Sequence, residues 1–397
     1  MTPLLLTHYT ATSGLGRGQA ATLAALQSGR GALRPCRFDT AVLDTRIAEV
    51  DGLAEVALPT ALQGYDCRNN RLAQLGLMQD EFDTVARARA RHWGARRVGV
   101  FIGTSTSGVL QTEIAYRRRD PRTGELPAGF DYRGSHNAFS VTEFVRGRLG
   151  LEGPAVTVCT ACSSSAKVFA AAQRMIGAGL IDAAVVGGVD SLCLTTLYGF
   201  HSLQLTSPEP CRPFDAERDG LSIGEAAAFA LLERAPDSVD AGAILLLGAG
   251  ESSDAHHMSS PHPEGLGAMS AMRAALAAAH TTPEAIDYIN LHGTGTPSND
   301  SAESRAVSAI FGGATPCSST KGATGHTLGA AGALEAVISA LALRAGLMPG
   351  GLNTRRLDPA LPLNYLTENR RARIGRVLSN SFGFGGANCA LLLARAG

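Results

Sequence analysis

The sequence predicts an α/β protein built from two similar halves, and three observations point there. Strand-like runs rich in Val, Ile, Leu and Ala alternate with helices made largely of small residues, the pattern of central sheets covered by helices. One order of features also occurs twice. Cys159-Thr-Ala-Cys-Ser-Ser-Ser-Ala leads through a helix to Gly177-Ala-Gly-Leu, and Cys317-Ser-Ser-Thr-Lys leads through Gly329-Ala-Ala-Gly and a helix to Arg344-Ala-Gly-Leu, as in a duplicated unit. Finally, 397 residues of which 45% are hydrophobic can bury a large core, and 46 glycines suit close packing of helix on sheet.

The elements follow in order. Leu4-Leu-Leu-Thr-His-Tyr opens the chain as a strand, and Arg97 to Ile102 forms another that runs into the loop Gly103-Thr-Ser-Thr-Ser-Gly. Arg117 to Asp131, rich in Arg, Asp, Gly and Pro, is an exposed insertion. Ala155 to Val158 is a β-branched strand entering the small-residue helix Ser163 to Ala172, with Cys162 at the junction. Ala183 to Gly187 and Ala227 to Glu233 complete the first half. The break falls near Pro236 to Ala243 and divides the chain into 1–240 and 241–397. Beyond it, Ala243 to Gly248, Tyr288 to His292 and Ala390 to Leu393 are the strands of the second half.

Composition excludes several classes. Lys+Arg and Asp+Glu balance at 35 each, so no overall field recruits nucleic acid or an anionic membrane. The longest apolar stretches, Ala226 to Leu232 and Ala241 to Gly250, are too short to span a bilayer, and Leu4-Leu-Leu lacks a basic flank and a cleavage site. The expectation is a soluble, cytoplasmic protein whose eight cysteines are reduced.

Cys162 sits where a strand meets a helix N-terminus, and the unpaired N–H groups there are expected to turn its thiol into a thiolate. Two histidines stand on glycine-flanked segments downstream, His292 in Leu-His-Gly-Thr-Gly-Thr-Pro and His326 in Lys-Gly-Ala-Thr-Gly-His-Thr-Leu-Gly. A hydrolase needs one base, whereas two imidazoles suit a site that holds a developing enolate or oxyanion. Cys159-Thr-Ala-Cys162 also admits a redox or zinc reading, against which stand the absence of a second such pair and of a thioredoxin-sized unit. Asp254-Ala-His256-His257-Met-Ser-Ser-Pro-His262 invites a metal reading as well.

Taken together, five ordered motifs resemble those of a β-ketoacyl-acyl carrier protein synthase, the elongating condensing enzyme of fatty acid and polyketide assembly. They are Thr160-Ala-Cys162-Ser-Ser, Arg212-Pro-Phe-Asp-Ala-Glu-Arg218-Asp-Gly, His292-Gly-Thr-Gly-Thr, Lys321 with Gly325-His326, and Asn380-Ser-Phe-Gly-Phe384-Gly-Gly-Ala-Asn388, and they span nearly the whole chain. The resemblance implies the thiolase fold, two duplicated α/β halves packed as five layers (α-β-α-β-α). It further implies a Cys-His-His site of Cys162, His292 and His326, with an oxyanion hole from the backbone amides of Cys162 and Phe384. Lys321 is then an electrostatic organiser paired with Glu303, and Thr294 and Thr296 are pantetheine contacts. No metal, flavin or nicotinamide is implied, since the phosphopantetheine is carried by the partner.

That partner is an acyl carrier protein, acyl- or malonyl-loaded, and the chain is expected to form a homodimer, or a heterodimer with a related ketosynthase-like subunit. Arg68, Arg71 and Arg117 to Arg119 are candidate contacts for an acidic carrier. The loop at Thr106 places a hydroxyl where elongating synthases often carry an apolar gate, opposite Phe384. The chain is also similar to condensing enzymes of polyene or aryl-polyene pathways, which would favour conjugated acyl chains. Two other readings carry their own marks. A CoA-dependent thiolase-type acyltransferase would be expected to have a second cysteine near the C-terminal histidine, and a chain-length-determining partner subunit would be expected to lack Cys162.

Overall fold

The computed structural model describes residues 2–236 and 238–397. In the first half, strands β1 (Leu4–Ser13), β2 (Val98–Gly103), β3 (Ala155–Val158), β4 (Ala183–Asp190) and β5 (Ala226–Arg234) lie in the spatial order β1-β5-β4-β2-β3. In the second, β6 (Ile244–Ser253), β7 (Tyr288–Asn290), β8 (Pro316–Ser318), β9 (Arg376–Phe382) and β10 (Ala387–Arg395) lie in the order β6-β10-β9-β7-β8. The two orders are the same, and so are the strand directions. The pairs β1·β5 and β5·β4 are antiparallel, as are β6·β10 and β10·β9, while the remaining neighbours are parallel. Among the described residues the halves join into one twelve-stranded ladder through Leu4 and Leu5, which pair with Leu246 and Leu245.

The strands are apolar on both faces, as strands covered on both sides must be. Val185 and Leu231 face one cluster with helices α1 (Arg68–Leu77), α2 (Phe82–Trp93) and α4 (Phe139–Leu149), whereas Ala184, Val186 and Leu232 face the other way. In the second half Leu392 meets α7 (Leu266–Ala278) and α8 (Pro297–Phe311), and its neighbours Leu391 and Leu393 turn inward. The inward faces of both sheets enclose α5 (Ser164–Gly177) and α9 (Ala331–Ala345) in one core cluster. The layering is therefore α-β-α-β-α, with two helices at its centre. Helix α3 (Val109–Arg117) and helix α6 (Leu194–Ser202) pack beside it in a smaller cluster.

Two helices fit between two sheets only if their touching faces are small, which is why the sequence there is Ser and Ala in one and Gly and Ala in the other. At Gly332 a β-carbon would stand 2.6 Å from the Ala166 amide nitrogen and 2.7 Å from its Cβ. The stretch 328–345 is long and apolar enough to cross a membrane by those criteria alone, longer than the apolar runs picked out in the sequence. It is 89% buried as the central helix. The insertion after α3 is largely exposed, as its composition predicts. Residue 237, inside the expected junction at Pro236 to Ala243, lies outside the described residues.

Gly332→Ala should lower stability by about 1 to 3 kcal/mol through overpacking against Ala166. Chemical denaturation checks this, and an unchanged midpoint would show that the helix crossing has room to spare.

Candidate active site

The duplicated unit delivers its turns to one place. Cys162 lies between β3 and α5; Lys321 and His326 lie at the corresponding point between β8 and α9. His292 follows β7, and Phe384 sits in the turn between β9 and β10. Cys162, His292, His326, Thr294, Thr296 and Phe384 line one cavity, together with Phe200, Leu205 and Asn388.

The sulfur of Cys162 is 2.9 Å from His326 Nε2, and the two imidazoles meet edge to face with centroids 5.3 Å apart. Lys321, fully buried, donates to His292 Nδ1 at 3.3 Å and to the His292 carbonyl at 2.6 Å. An ammonium has only donors, so His292 Nδ1 must accept, and the ring proton is assigned to Nε2, facing the cavity. Burial, with Lys321 and His326 adding to it, holds His292 well below the usual imidazole range; burial and Lys321 do the same to His326. Both rings are neutral at physiological pH, so each can donate one hydrogen bond without carrying a charge into the site.

The nucleophile departs from the sequence expectation. Cys162 precedes the helix cap Ser163 instead of occupying the first turn. Burial pushes its thiol up to about 12, although Lys321 and hydrogen bonds from the backbone amides of Phe384 and Cys162 pull it the other way. The resting site is a neutral thiol beside a neutral imidazole, and ionisation requires moving the proton to His326. The two amides that reach the sulfur are the pair expected to form the oxyanion hole.

The expected pairing of Lys321 with Glu303 is not what the structure contains. Lys321 forms its ion pair with Glu335 on α9, both side chains buried. Glu303 instead accepts from the amides of His292 and Gly293, each at 2.8 Å, and from Asn380 Nδ2 at 3.1 Å, so it shapes the histidine turn. Burial raises both Glu303 and Glu335 to about 7. Glu335 carries a signal that sequence reasoning missed, since a lone acid in the apolar run after Leu328 must find a buried partner.

Thr106 is likewise displaced from its expected role. It is buried, does not line the cavity, and gives its hydroxyl to Asp190 at 2.8 Å. The ring beside Phe384 is Phe200, with centroids 5.5 Å apart. Thr294 and Thr296 share a hydrogen bond of 2.9 Å at the cavity wall. Arg68 is tied to Glu225 and Glu49, and Arg71 to Asp66, which removes both as free docking charges. Arg117 pairs with Asp39.

Ligand atoms of Cys162, His292 and His326 lie within 4.8 Å of one another, a donor set that zinc takes elsewhere. Here the Nε2 proton fixed by Lys321 on His292 makes that nitrogen a donor and closes it to a cation. Asp254, in the histidine-rich loop, accepts from the His262 amide at 3.0 Å and from Asn388 Nδ2 at 2.8 Å. Cys162 is the one cysteine lining the cavity among the described residues, whereas Cys317 and Cys389 are buried elsewhere.

Comparison with known proteins matches residues 72–238 to the beta-ketoacyl synthase N-terminal domain and 244–355 to its C-terminal domain. The mitochondrial 3-oxoacyl-[acyl-carrier-protein] synthase of Arabidopsis thaliana is 40% identical over 265 residues, which is 62% of this chain and 58% of that protein. Synthase 2 of the same name from Coxiella burnetii is 33% identical across 99% of this chain and 98% of its own. A chain of the ketosynthase (ApeO)–chain length factor (ApeC) complex from Xenorhabdus doucetiae superposes with a TM-score of 0.89 and 39% identity, covering 100% of this chain and 98% of that one.

Glu335→Ala strands a buried ammonium and should cost about 3 to 5 kcal/mol of stability. Urea denaturation reads this, and a loss below about 1 kcal/mol would mean that Glu335 is not the partner of Lys321. In the free enzyme, alkylation of Cys162 should lag behind a free cysteine at about pH 7.5 and still be climbing at about pH 10, because a raised thiol pKa leaves little thiolate at neutrality. A plateau reached by about pH 8 would indicate a stable thiolate instead.

Proposed function

The chain belongs to the beta-ketoacyl synthase family, as a condensing enzyme of the 3-oxoacyl-[acyl-carrier-protein] synthase class, and from that premise we propose how its residues divide the reaction. The observation that carries the proposal is the short contact between Cys162 and His326, beside a His292 that turns Nδ1 to Lys321 and lines the same cavity.

In the first half-reaction the thiol proton passes to His326 Nε2 as sulfur attacks the acyl thioester. The amides of Cys162 and Phe384 hold the tetrahedral oxyanion, and collapse expels the carrier thiolate, which takes the proton back from His326. The acyl group is then on Cys162 and the histidine is neutral again.

In the second, malonyl-carrier protein loses carbon dioxide, and the bonding pair becomes an enolate whose oxygen accepts from His292 Nε2–H and from His326, which takes its Nε2–H tautomer once acylation has removed the thiol proton it faced. The carbanion attacks the acyl carbon, and Cys162 leaves as a thiolate that takes up one proton. The product is a 3-ketoacyl chain two carbons longer. Protein groups suffice for every step, so the reading uses no metal or redox cofactor.

Similarity to the ketosynthase–chain length factor complex supports pairing of this chain with a related ketosynthase-like subunit. Cys162 favours the catalytic role over the partner role, and the lack of a second cavity cysteine argues against the thiolase-type reading. With Thr106 turned to Asp190, a polar gate no longer supports conjugated acyl chains. Phe200 against Phe384 is the contact placed to select the primer.

Cys162→Ala should abolish condensation, and mass spectrometry after incubation with acyl-carrier proteins should place the acyl adduct on Cys162 and nowhere else. An adduct on another residue would sink the assignment. His292→Ala and His326→Ala should each slow carbon dioxide release by about 100- to 1000-fold, the loss typical of one oxyanion donor. His292→Ala should leave transfer of the acyl group to Cys162 nearly intact, and equal loss of both half-reactions would refute that division.

A further inference from the structure

The carboxylate of Asp190, the last residue of β4, is completely buried, and among the described residues no cation forms an ion pair with it. Hydrogen bonds hold it, and they come from both halves of the molecule. Its Oδ1 accepts from Thr104 Oγ1 at 2.7 Å and from the Ser105 amide, the Thr106 amide and Thr106 Oγ1, each at 2.8 Å. Its Oδ2 accepts from the Ser105 amide at 3.0 Å and from the Gly329 amide at 2.5 Å.

Gly329 is three residues past His326, in the turn that starts α9. That turn contains Leu328 at φ 53°, a left-handed conformation a leucine adopts only when its surroundings impose it. A β-carbon on residue 329 would meet Ser105 Oγ at 2.6 Å and Asp190 Oδ2 at 2.7 Å, so only glycine lets the turn come this close. The same loop reaches the nucleophile from the other side, where Ser105 Oγ donates to the carbonyl of Ala161 at 3.3 Å, one residue before Cys162.

We propose that Asp190 is a positioning residue for the condensation: its carboxylate locks the Thr104–Thr106 loop to the Leu328–Ala330 turn and so holds His326 against Cys162 across the two halves. This explains three of the four consecutive hydroxyl residues in the loop, since Thr104 and Thr106 donate to the carboxylate and Ser105 ties the loop to the nucleophile turn. It also accounts for the hydroxyl of Thr106, which accepts from the Ser191 amide at 3.2 Å while donating its proton to Asp190, so it has no proton to offer a substrate. The Asp190 charge is one of the influences that raise the thiol of Cys162, behind burial. The other charged or titratable groups facing that thiol are Lys321, His292 and His326.

The proposal rests on the decarboxylative reading above, and the two can fail separately. Carbon dioxide release by the wild-type enzyme tests the reading, whereas the ratio of Asp190→Asn to wild type tests the lock. Asparagine keeps the shape and removes a buried charge, so the fold should survive, but an NH2 now faces amides that need an acceptor. Carbon dioxide release should fall about 100-fold, the scale of a displacement of about 1 Å at a reacting group, while KM for the acyl-carrier protein changes by less than about twofold. Cys162 in the same variant should alkylate faster at about pH 8, because a nearby negative charge has gone.

A purely structural role would lower stability without this split, so release within about twofold of wild type, or an unchanged alkylation rate, overturns the proposal. Should Asp190→Asn fail to fold, Thr106→Val breaks the same lock from the loop side. Slower decarboxylation in that variant supports the proposal, and a wild-type rate overturns it.

Discussion

The reaction centre depends on two small-residue helices sharing the space between two sheets. Helices α5 and α9 approach so closely that Gly332 has no room for a methyl group against Ala166. The turns that lead into them carry Cys162 on one side and Lys321 with His326 on the other, and those turns inherit the closeness of the helices. Larger side chains at the crossing would separate the turns, and a hydrogen bond of 2.9 Å between sulfur and imidazole tolerates little separation.

The same enclosure sets the electrostatics. A dry interior disfavours every charge, so it raises the thiol of Cys162, raises Glu303 and Glu335, and lowers both histidines. The site has one buried ammonium, and its position gives it several effects at once. Lys321 fixes a tautomer, holds the His292 carbonyl, and takes Glu335 as its counter-ion. The protein thus obtains two neutral hydrogen-bond donors at the point where an enolate would form, without a cation in contact with the substrate.

Much of this was legible in the sequence, and the failures have physical causes. The duplication, the layered architecture and the Cys162, His292 and His326 trio follow from patterns local to each segment: a strand, a glycine-rich turn, a small-residue helix. Partnerships between distant segments do not follow. Lys321 sits 14 residues from Glu335 and 18 from Glu303, and only the packing of α9 between the sheets decides which carboxylate it meets. Thr106 was misread because the direction of its side chain depends on Asp190, a strand terminus 84 residues away. The thiolate expectation failed because helix polarity can be read from local sequence, whereas the depth of burial that opposes it cannot.

The strand order has a consequence for how the chain reaches this state. Strand β1 is paired along most of its length with β5, so residues 4–13 wait for 226–234, and Cys162 lies on the stretch in between. Closing a loop of that length is slow because most contacts of the first sheet are non-local. During synthesis at about 5 to 20 residues per second, the N-terminal strand waits on the order of 10 to 40 seconds for its neighbour to emerge. Late in that interval the apolar strand β4 and the edge strand β3, which leads into the nucleophile, have been made but lack their final cover. The nascent first half is therefore the stage at which chaperone shielding matters most, and at which a thiol destined for deep burial is open to oxidation.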